Sequence, residues 1–177
     1  MHIDRSFWST LDIAAPSHSG DMGAVLLASC PGLRGADSVS ESDIKDDVEK
    51  LAAAGASFVL SLIEAKDRDQ LGVSNLDTII ADAGLEGANF PIEDRNIPRH
   101  DQIIQLDRVL DDLEARIRNG QTIAIHCQAG LGRTGMITGI LLGRFGIEGT
   151  TAIRLIRQTR PGSIETDAQE DFVRNWE

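Results

Sequence analysis

The chain sorts into short apolar runs separated by amphipathic stretches. GAVLLAS at 23–29, ASFVLSLI at 56–63 and QTIAIHC at 121–127 are near-continuous apolar runs of strand length, the pattern of strands buried on both faces. EGANFPI at 86–92 reads as a weaker strand, because Pro91 offers no ladder donor. Helical patterns lie between them. Residues 40–55 start Ser- and Asp-rich and stop at Gly55. Residues 71–84 form a shorter helix closing at Gly84. The clearest helix covers 98–120, with Ile103, Leu106, Leu110, Leu113 and Ile117 at 3,4,3,4 spacing, Pro98 opening it and Gly120 ending it. Helices are then expected near 133–146, 149–160 and 165–176. Alternating strands and helices, followed by helices alone, predict a three-layer α/β/α sandwich with a mainly parallel central sheet. Ligands in such folds bind beyond the carboxyl ends of the strands, which is where Cys127 falls.

At 177 residues the chain fits one domain, with residues 1–21 expected as an N-terminal extension and a core over 22–177. Net charge changes the picture: at −11, the chain repels nucleic acid and anionic membranes, so neither is expected as a partner. A phosphate site would have to be built locally, from backbone dipoles and one or two arginines. The two cysteines, Cys30 and Cys127, are too few for a disulfide framework and suit a reducing cytoplasm. The first 21 residues carry charges and no apolar signal-peptide core, and the longest apolar stretch, 136–147, holds Arg144 and is too short to cross a bilayer. A cytoplasmic monomer is the expectation.

The chemistry concentrates in TIAIHCQAGLGRTGMITGILLG, 122–143. Gly130, Gly132 and Gly135 spell G-x-G-x-x-G between a strand and a helix. A dinucleotide site also needs a second strand carrying an acid about 20 residues on. Here the helix leads into another helix, Glu148 sits in the joint, and only 42 residues follow Gly135. A nucleotide P-loop fails as well, because Met136-Ile137 stands where Lys-Ser/Thr is required. The alternative pairs Cys127 with Arg133 across five intervening residues. A loop of that length can curl its N–H groups into an anion nest, with the helix dipole behind it. Gly130 and Gly132 permit the needed backbone, and Arg133 can clamp two phosphate oxygens. In such a field a cysteine pKa near ~8.5 can fall to about 3.5–7.5, giving a thiolate that faces a phosphate.

His126-Cys127-x5-Arg133-Thr134 resembles the signature of the protein tyrosine and dual-specificity phosphatases, most closely the kinase-associated phosphatase branch. The resemblance runs from about 26 to 172 and takes in Pro31-Gly32, PIEDRNIP, the IHC-AGLGR core and SIETDAQEDFV. It implies a compact α/β domain and phosphomonoester hydrolysis without metal or cofactor. The implied partner is a phosphoprotein, with a protein kinase as a candidate.

The resemblance assigns roles. Cys127 is the nucleophile; taken alone it would be a buried structural cysteine. Arg133 is the phosphate clamp, and a bound anion explains why an arginine sits where it opposes a helix dipole. Thr134 would bond the Cys127 sulfur, unless it merely satisfies a first-turn amide. His126 orders the loop. Gln128, Ala129, Gly130, Leu131, Gly132 and Arg133 line the phosphate. The leaving oxygen needs a proton from Glu93, Asp94 or Asp101 in the following polar loop, and the family's Pro-Ile-x-Asp pattern selects Asp94. Gln169 resembles the glutamine that positions the hydrolytic water; the plainer reading is an exposed helical glutamine. Glu165 and Asp167 read as an acidic helix start. Cys30 resembles the family's occasional disulfide partner, although sequence does not bring the two sulfurs within reach. Gly135, Gly139 and Gly143 share a helix face, expected to pack on the sheet.

Other substrate classes fit the loop less well. Phosphoinositides, inositol phosphates or RNA 5′-phosphates favour lysines in the loop, whereas Gln128, Ala129 and Leu131 are neutral. A non-catalytic phosphate-binding module would not need the whole set of Cys127, Arg133, Thr134 and Asp94. A rhodanese-like sulfurtransferase would not need Arg133-Thr134. No segment resembles a deep phosphotyrosine loop, which predicts a shallow dual-specificity cleft.

Overall fold

The computed structural model describes residues 7–13, 21–33 and 39–176. It is a mixed α/β structure with a central sheet in the order β1-β2-β5-β3-β4. The strands are β1 (Trp8–Asp12), β2 (Ala24–Ala28), β3 (Ala56–Ser61), β4 (Glu86–Asn89) and β5 (Thr122–His126). β2, β5, β3 and β4 run parallel, and β1 pairs antiparallel along β2. β5 sits in the middle because the centre of TIAIH is a continuous apolar run, Ile123-Ala124-Ile125, so both of its faces can be covered.

Helices α1 (Glu41–Ala53) and α3 (Leu76–Asp82) contact each other and the β3–β4 side of the sheet. Helices α4 (Ile103–Arg118), α5 (Gly132–Arg144), α6 (Gly149–Thr159) and α7 (Asp167–Arg174) pack as a second group, with α4 and α5 against β5 and α5 against β2. This is the layered arrangement the pattern predicts. Leu106, Leu110, Leu113 and Ile117 form the buried stripe of α4, and a 3-10 turn at His100–Gln102 precedes that helix. Among the described residues no helix is long and apolar enough to cross a membrane.

Three local expectations change. The stretch taken for an extension supplies the edge strand β1, whose short, mostly polar WSTLD has no clean alternation to read. The helix expected over 71–84 is the shorter α3, and a separate helix, α2 (Ala65–Leu71), precedes it and ends where Gly72 takes a left-handed conformation with φ of 72°. α2 (AKDRDQL) is polar on nearly every side and so carries no apolar stripe for the sequence pattern to show. Gly135 and Gly139 face away from the sheet. A Cβ on Gly139 would lie 2.8 Å from Val173 Cγ1, and one on Gly135 would lie 3.0 Å from Ser163 Cβ. α5 is buried from Gly132 to Leu142, so its small residues mark where α7 and the segment before it approach most closely.

Register decides what meets at the sheet's carboxyl edge. Ala28 and Ser61 both pair with His126, and Asn89 pairs with Ser61. Four parallel strands therefore end level. The ladder continues past them: Leu62 N donates to His126 O, Phe90 N to Ser61 O and Cys30 N to Gln128 O, each at 2.9 Å. The turn after β2, the loop after β4 and the loop after β5 are thus fixed to one another.

Gly139→Ala should destabilise the protein by about 1–3 kcal/mol through overpacking against Val173. Gly143→Ala, where an added Cβ meets nothing within 4 Å, should be neutral or stabilise by up to about 1 kcal/mol. Urea unfolding of the two variants checks this pair.

Candidate active site

The loop from Cys127 to Leu131 joins β5 to α5. Its backbone rests on the end of β2. Gly130 has φ of 71°, and a Cβ there would lie 2.3 Å from the Ala28 carbonyl oxygen. Both the conformation and the space demand glycine. Among the described residues, no backbone carbonyl accepts from the N–H groups of Gln128 to Thr134; the first such bond is Gly135 N to Leu131 O. These amides join the orphan donors of a helix start, a positive concavity suited to an anion. Cys127 sits at the head of this loop, 3% exposed.

Arg133 is 1% exposed, so its charge must be paired. Its hydrogen bonds come from one nitrogen: Nη1 donates to Asp67 Oδ2 and to the Ile92 carbonyl, each at 3.0 Å. Asp94 Oδ1 lies 2.9 Å from Nη2 as an ion pair. Nε and Nη2 themselves, though buried, have no hydrogen-bond acceptor. The guanidinium is thus held on one side and leaves a donor edge on another, the shape that takes two oxygens of a phosphate.

Of the three candidate acids, only Asp94 pairs with Arg133. Glu93 accepts from Asn96 Nδ2 at 3.3 Å, and Asp101 pairs with Arg99 at 3.1 Å. Gln169 is fully buried, not an exposed helical residue. Its Nε2 donates to Asn96 O at 3.2 Å and its Oε1 accepts from Glu165 N at 3.0 Å. Thr166, the N-cap of α7, donates to Arg95 O at 3.4 Å. The acid loop is therefore pinned by the start of α7. Arg95, within that loop, holds φ of 60°, rare for a side-chain-bearing residue. Glu165 lies outside the helix, its carboxylate against Gly132, whereas Asp167 is in the first turn of α7.

Thr134 Oγ1 is buried without a partner, so it makes neither the expected bond to sulfur nor a capping bond. Burial pushes the His126 pKa down to about 4, partly opposed by its bond to the Cys127 carbonyl. That contact, Nδ1 to Cys127 O at 3.2 Å, requires Nδ1 to donate, which leaves the buried Nε2 as an unpartnered acceptor. Cys30 and Cys127 are free thiols. Burial first, then the nearby Cys127, pushes Cys30 up to about 12, so it stays protonated at neutral pH.

Two residues were not anticipated. Asp67 both caps α2, accepting from Glu64 N at 3.2 Å, and anchors Arg133. Its cap is visible as an acid three positions after Glu64; its second role is not, because the partner lies 66 positions away. Arg160, buried, donates to the Ala129 carbonyl at 3.3 Å and to Ser9 Oγ at 3.4 Å, tying the loop after β5 to β1. A lone arginine just past a helix gives no signal of that.

A family model described as a Swiss Army Knife protein, DSP-PTPase phosphatase domain, matches residues 37–173. The chain belongs to this phosphatase family. It is similar to cyclin-dependent kinase inhibitor 3 of Sus scrofa, 25% identical over 171 residues that cover 95% of this chain and 77% of that one. It is also 32% identical over 87 residues, 49% of the chain, to an uncharacterised protein of Methanocaldococcus jannaschii; that match spans 56% of the relative, short of two thirds of its length. The solved structure of kinase associated phosphatase with its catalytic-site cysteine replaced by serine superposes with a TM-score of 0.81, covering 94% of this chain and 90% of that one at 23% identity. The likeness establishes the dual-specificity-phosphatase fold.

Asp67→Asn leaves a hydrogen-bond acceptor for Glu64 N but removes the charge held against Arg133. A hydrogen bond to a charged group contributes about 1.5–3 kcal/mol, so kcat/KM for a phosphomonoester should drop roughly ten- to hundredfold. For His126, the folded pKa lies below the ordinary 6.5. Its contribution to stability is complete above about 6.5 and is lost as pH falls toward 4, because the unfolded chain takes the proton first. Between pH 7.5 and 5, the urea midpoint of His126→Asn should fall less than that of the wild type.

Proposed function

We propose that this chain hydrolyses phosphoproteins on phosphotyrosine, phosphoserine or phosphothreonine through a phosphocysteine intermediate. The observation that supports this most is the Arg133 fork, anchored through Nη1 and leaving buried Nε and Nη2 without hydrogen-bond acceptors next to the Asp94 carboxylate. An arriving phosphate dianion takes that edge together with the amides of Gln128, Ala129, Gly130, Leu131, Gly132 and Arg133. It displaces the Asp94 carboxylate from Arg133; the freed carboxylate, now beside the leaving group, takes up a proton from solvent and faces the leaving oxygen as an acid.

The Cys127 thiolate attacks phosphorus and forms an S–P bond. The P–O bond to the protein side chain breaks, and its electron pair takes a proton from Asp94. Asp94, now a carboxylate, accepts a proton from water. That water attacks phosphorus, the S–P bond breaks and Cys127 leaves as thiolate, releasing inorganic phosphate. The Thr134 hydroxyl, with no other partner, donates to the departing sulfur. Gln169 orders the acid loop through Asn96 and orients the water. Arg133 spreads the transition-state charge at no cost of reorganisation, because Asp67 and Ile92 already hold it.

Neutral side chains at Gln128, Ala129 and Leu131, on a chain of net charge −11, support a phosphoprotein over a polyphosphorylated small molecule. A protein kinase carrying a phosphorylated residue is the candidate partner, in keeping with the name of the cyclin-dependent kinase inhibitor relative.

A p-nitrophenyl phosphate assay in EDTA tests the reading. Wild type should turn over, Cys127→Ser should be inactive, and Asp94→Asn should lose roughly 10²–10⁴-fold, the usual worth of a general acid. Full activity in Cys127→Ser sinks the mechanism. A phosphopeptide panel then reports residue preference.

A further inference from the structure

One position beyond Gln169, Glu170 belongs to a different feature: an open cleft of about 410 Å³ between α6 and α7. Its lining includes Ile153, Arg154 and Arg157 from α6, and Glu170 and Arg174 from α7. Three arginines and one glutamate thus line the cleft, on a chain whose net charge is −11. Glu170 Oε2 pairs with Arg157 Nη2 at 2.7 Å, and its Oε1 with Arg174. Asp171 stands 3.8 Å from Arg174 at the rim. Arg154 is exposed and has no ion-pair or hydrogen-bond partner among the described residues. Arg157 is fixed from behind, its Nε donating to Ser163 O at 3.2 Å and its Nη2 to Ile164 O at 3.1 Å. Ile153 supplies an apolar floor, 5% exposed.

A pre-positioned arginine, an unpaired arginine and an apolar floor match one kind of ligand. We propose that this cleft docks a short acidic segment of a partner protein, an apolar side chain resting on Ile153 and its neighbouring carboxylates meeting Arg154 and Arg174. Glu170 already shows how the cleft holds a carboxylate, and an incoming one would share its arginines. A short segment suits the chain's charge better than an extended polyanion. The attraction here is local, within a Debye length of about 8 Å, while the repulsion from the rest of the surface acts on anything larger. α7 also begins at the acid loop, so a segment docked on it would hold a substrate near Cys127 and raise its effective concentration. That use of the cleft rests on the proposed phosphatase activity; the docking itself does not.

Fluorescence anisotropy of a rhodamine-labelled Glu-Asp-Leu-Asp-Glu peptide tests it, with Lys-Lys-Leu-Lys-Lys as the charge-reversed control. The acidic peptide should bind, more weakly as salt rises, and the basic one should not. Arg154→Glu and Arg174→Glu should each weaken binding roughly tenfold or more. Arg108→Glu, an exposed charge reversal on α4, should leave it unchanged. Arg154→Gln, which removes the positive charge without reversing it, should fall between wild type and Arg154→Glu. Absent binding, equal affinity in Arg154→Glu, or displacement of the peptide by orthovanadate held in the Cys127 loop would overturn the proposal. Arg154→Glu should hydrolyse p-nitrophenyl phosphate as wild type does. A wild type that binds the peptide but hydrolyses nothing would leave the docking site intact and reject the phosphatase reading, and the reverse result would do the opposite.

Discussion

A buried guanidinium carries a charge that the interior does not tolerate alone. The structure around the candidate site is organised by how Arg133 is satisfied. Asp67 comes from α2, the Ile92 carbonyl from the segment after β4, and the Asp94 carboxylate from the loop beyond it. Two segments distant in sequence, α2 and the loop after β4, are thereby gathered onto the first turn of α5. Their anchorage explains why a helix as polar as α2 is retained, since its third residue is needed at the centre of the site.

The sheet supplies the platform on which this gathering is possible. β2, β5 and β3 end level at Ala28, His126 and Ser61. Hydrogen bonds then run past the strand ends, so each loop starts from a known position. Gly130 makes the fit close: its backbone lies against the end of β2, where a side chain has no room. Arg160 adds a tether from the opposite direction, joining Ala129 to the edge strand β1. The loop is held from beneath and from the side, which leaves its amides free for an anion.

α7 joins two regions of the molecule. At its start, Thr166 and Gln169 hold the carbonyls of Arg95 and Asn96 in the acid loop. Further along, Glu170 and Arg174 form one wall of the arginine-lined cleft. Between them, Ile164 at φ of 61° donates its N–H to Leu131 O and accepts from Arg157. The loop after β5 and the cleft are therefore two hydrogen bonds apart through a residue that a strained backbone holds in place.

The amino-acid sequence by itself determined the four parallel strands, the stripe of α4 and the spacing that sets Cys127 against Arg133. Each of these is written in local periodicity or in one short loop, where neighbours in sequence are neighbours in space. β1 and α2 were not legible, because an edge strand needs pairing on one side only and a surface helix needs little apolar signal. Tertiary structure alone decided which acid pairs with Arg133, that Gln169 is buried, that Gly135 and Gly139 face α7 and the segment before it, and that Asp67 and Arg160 belong to the site. Those choices rest on contacts between segments tens of residues apart or more, and sequence spacing carries no information about which of several equivalent charges will meet once the sheet has set the register.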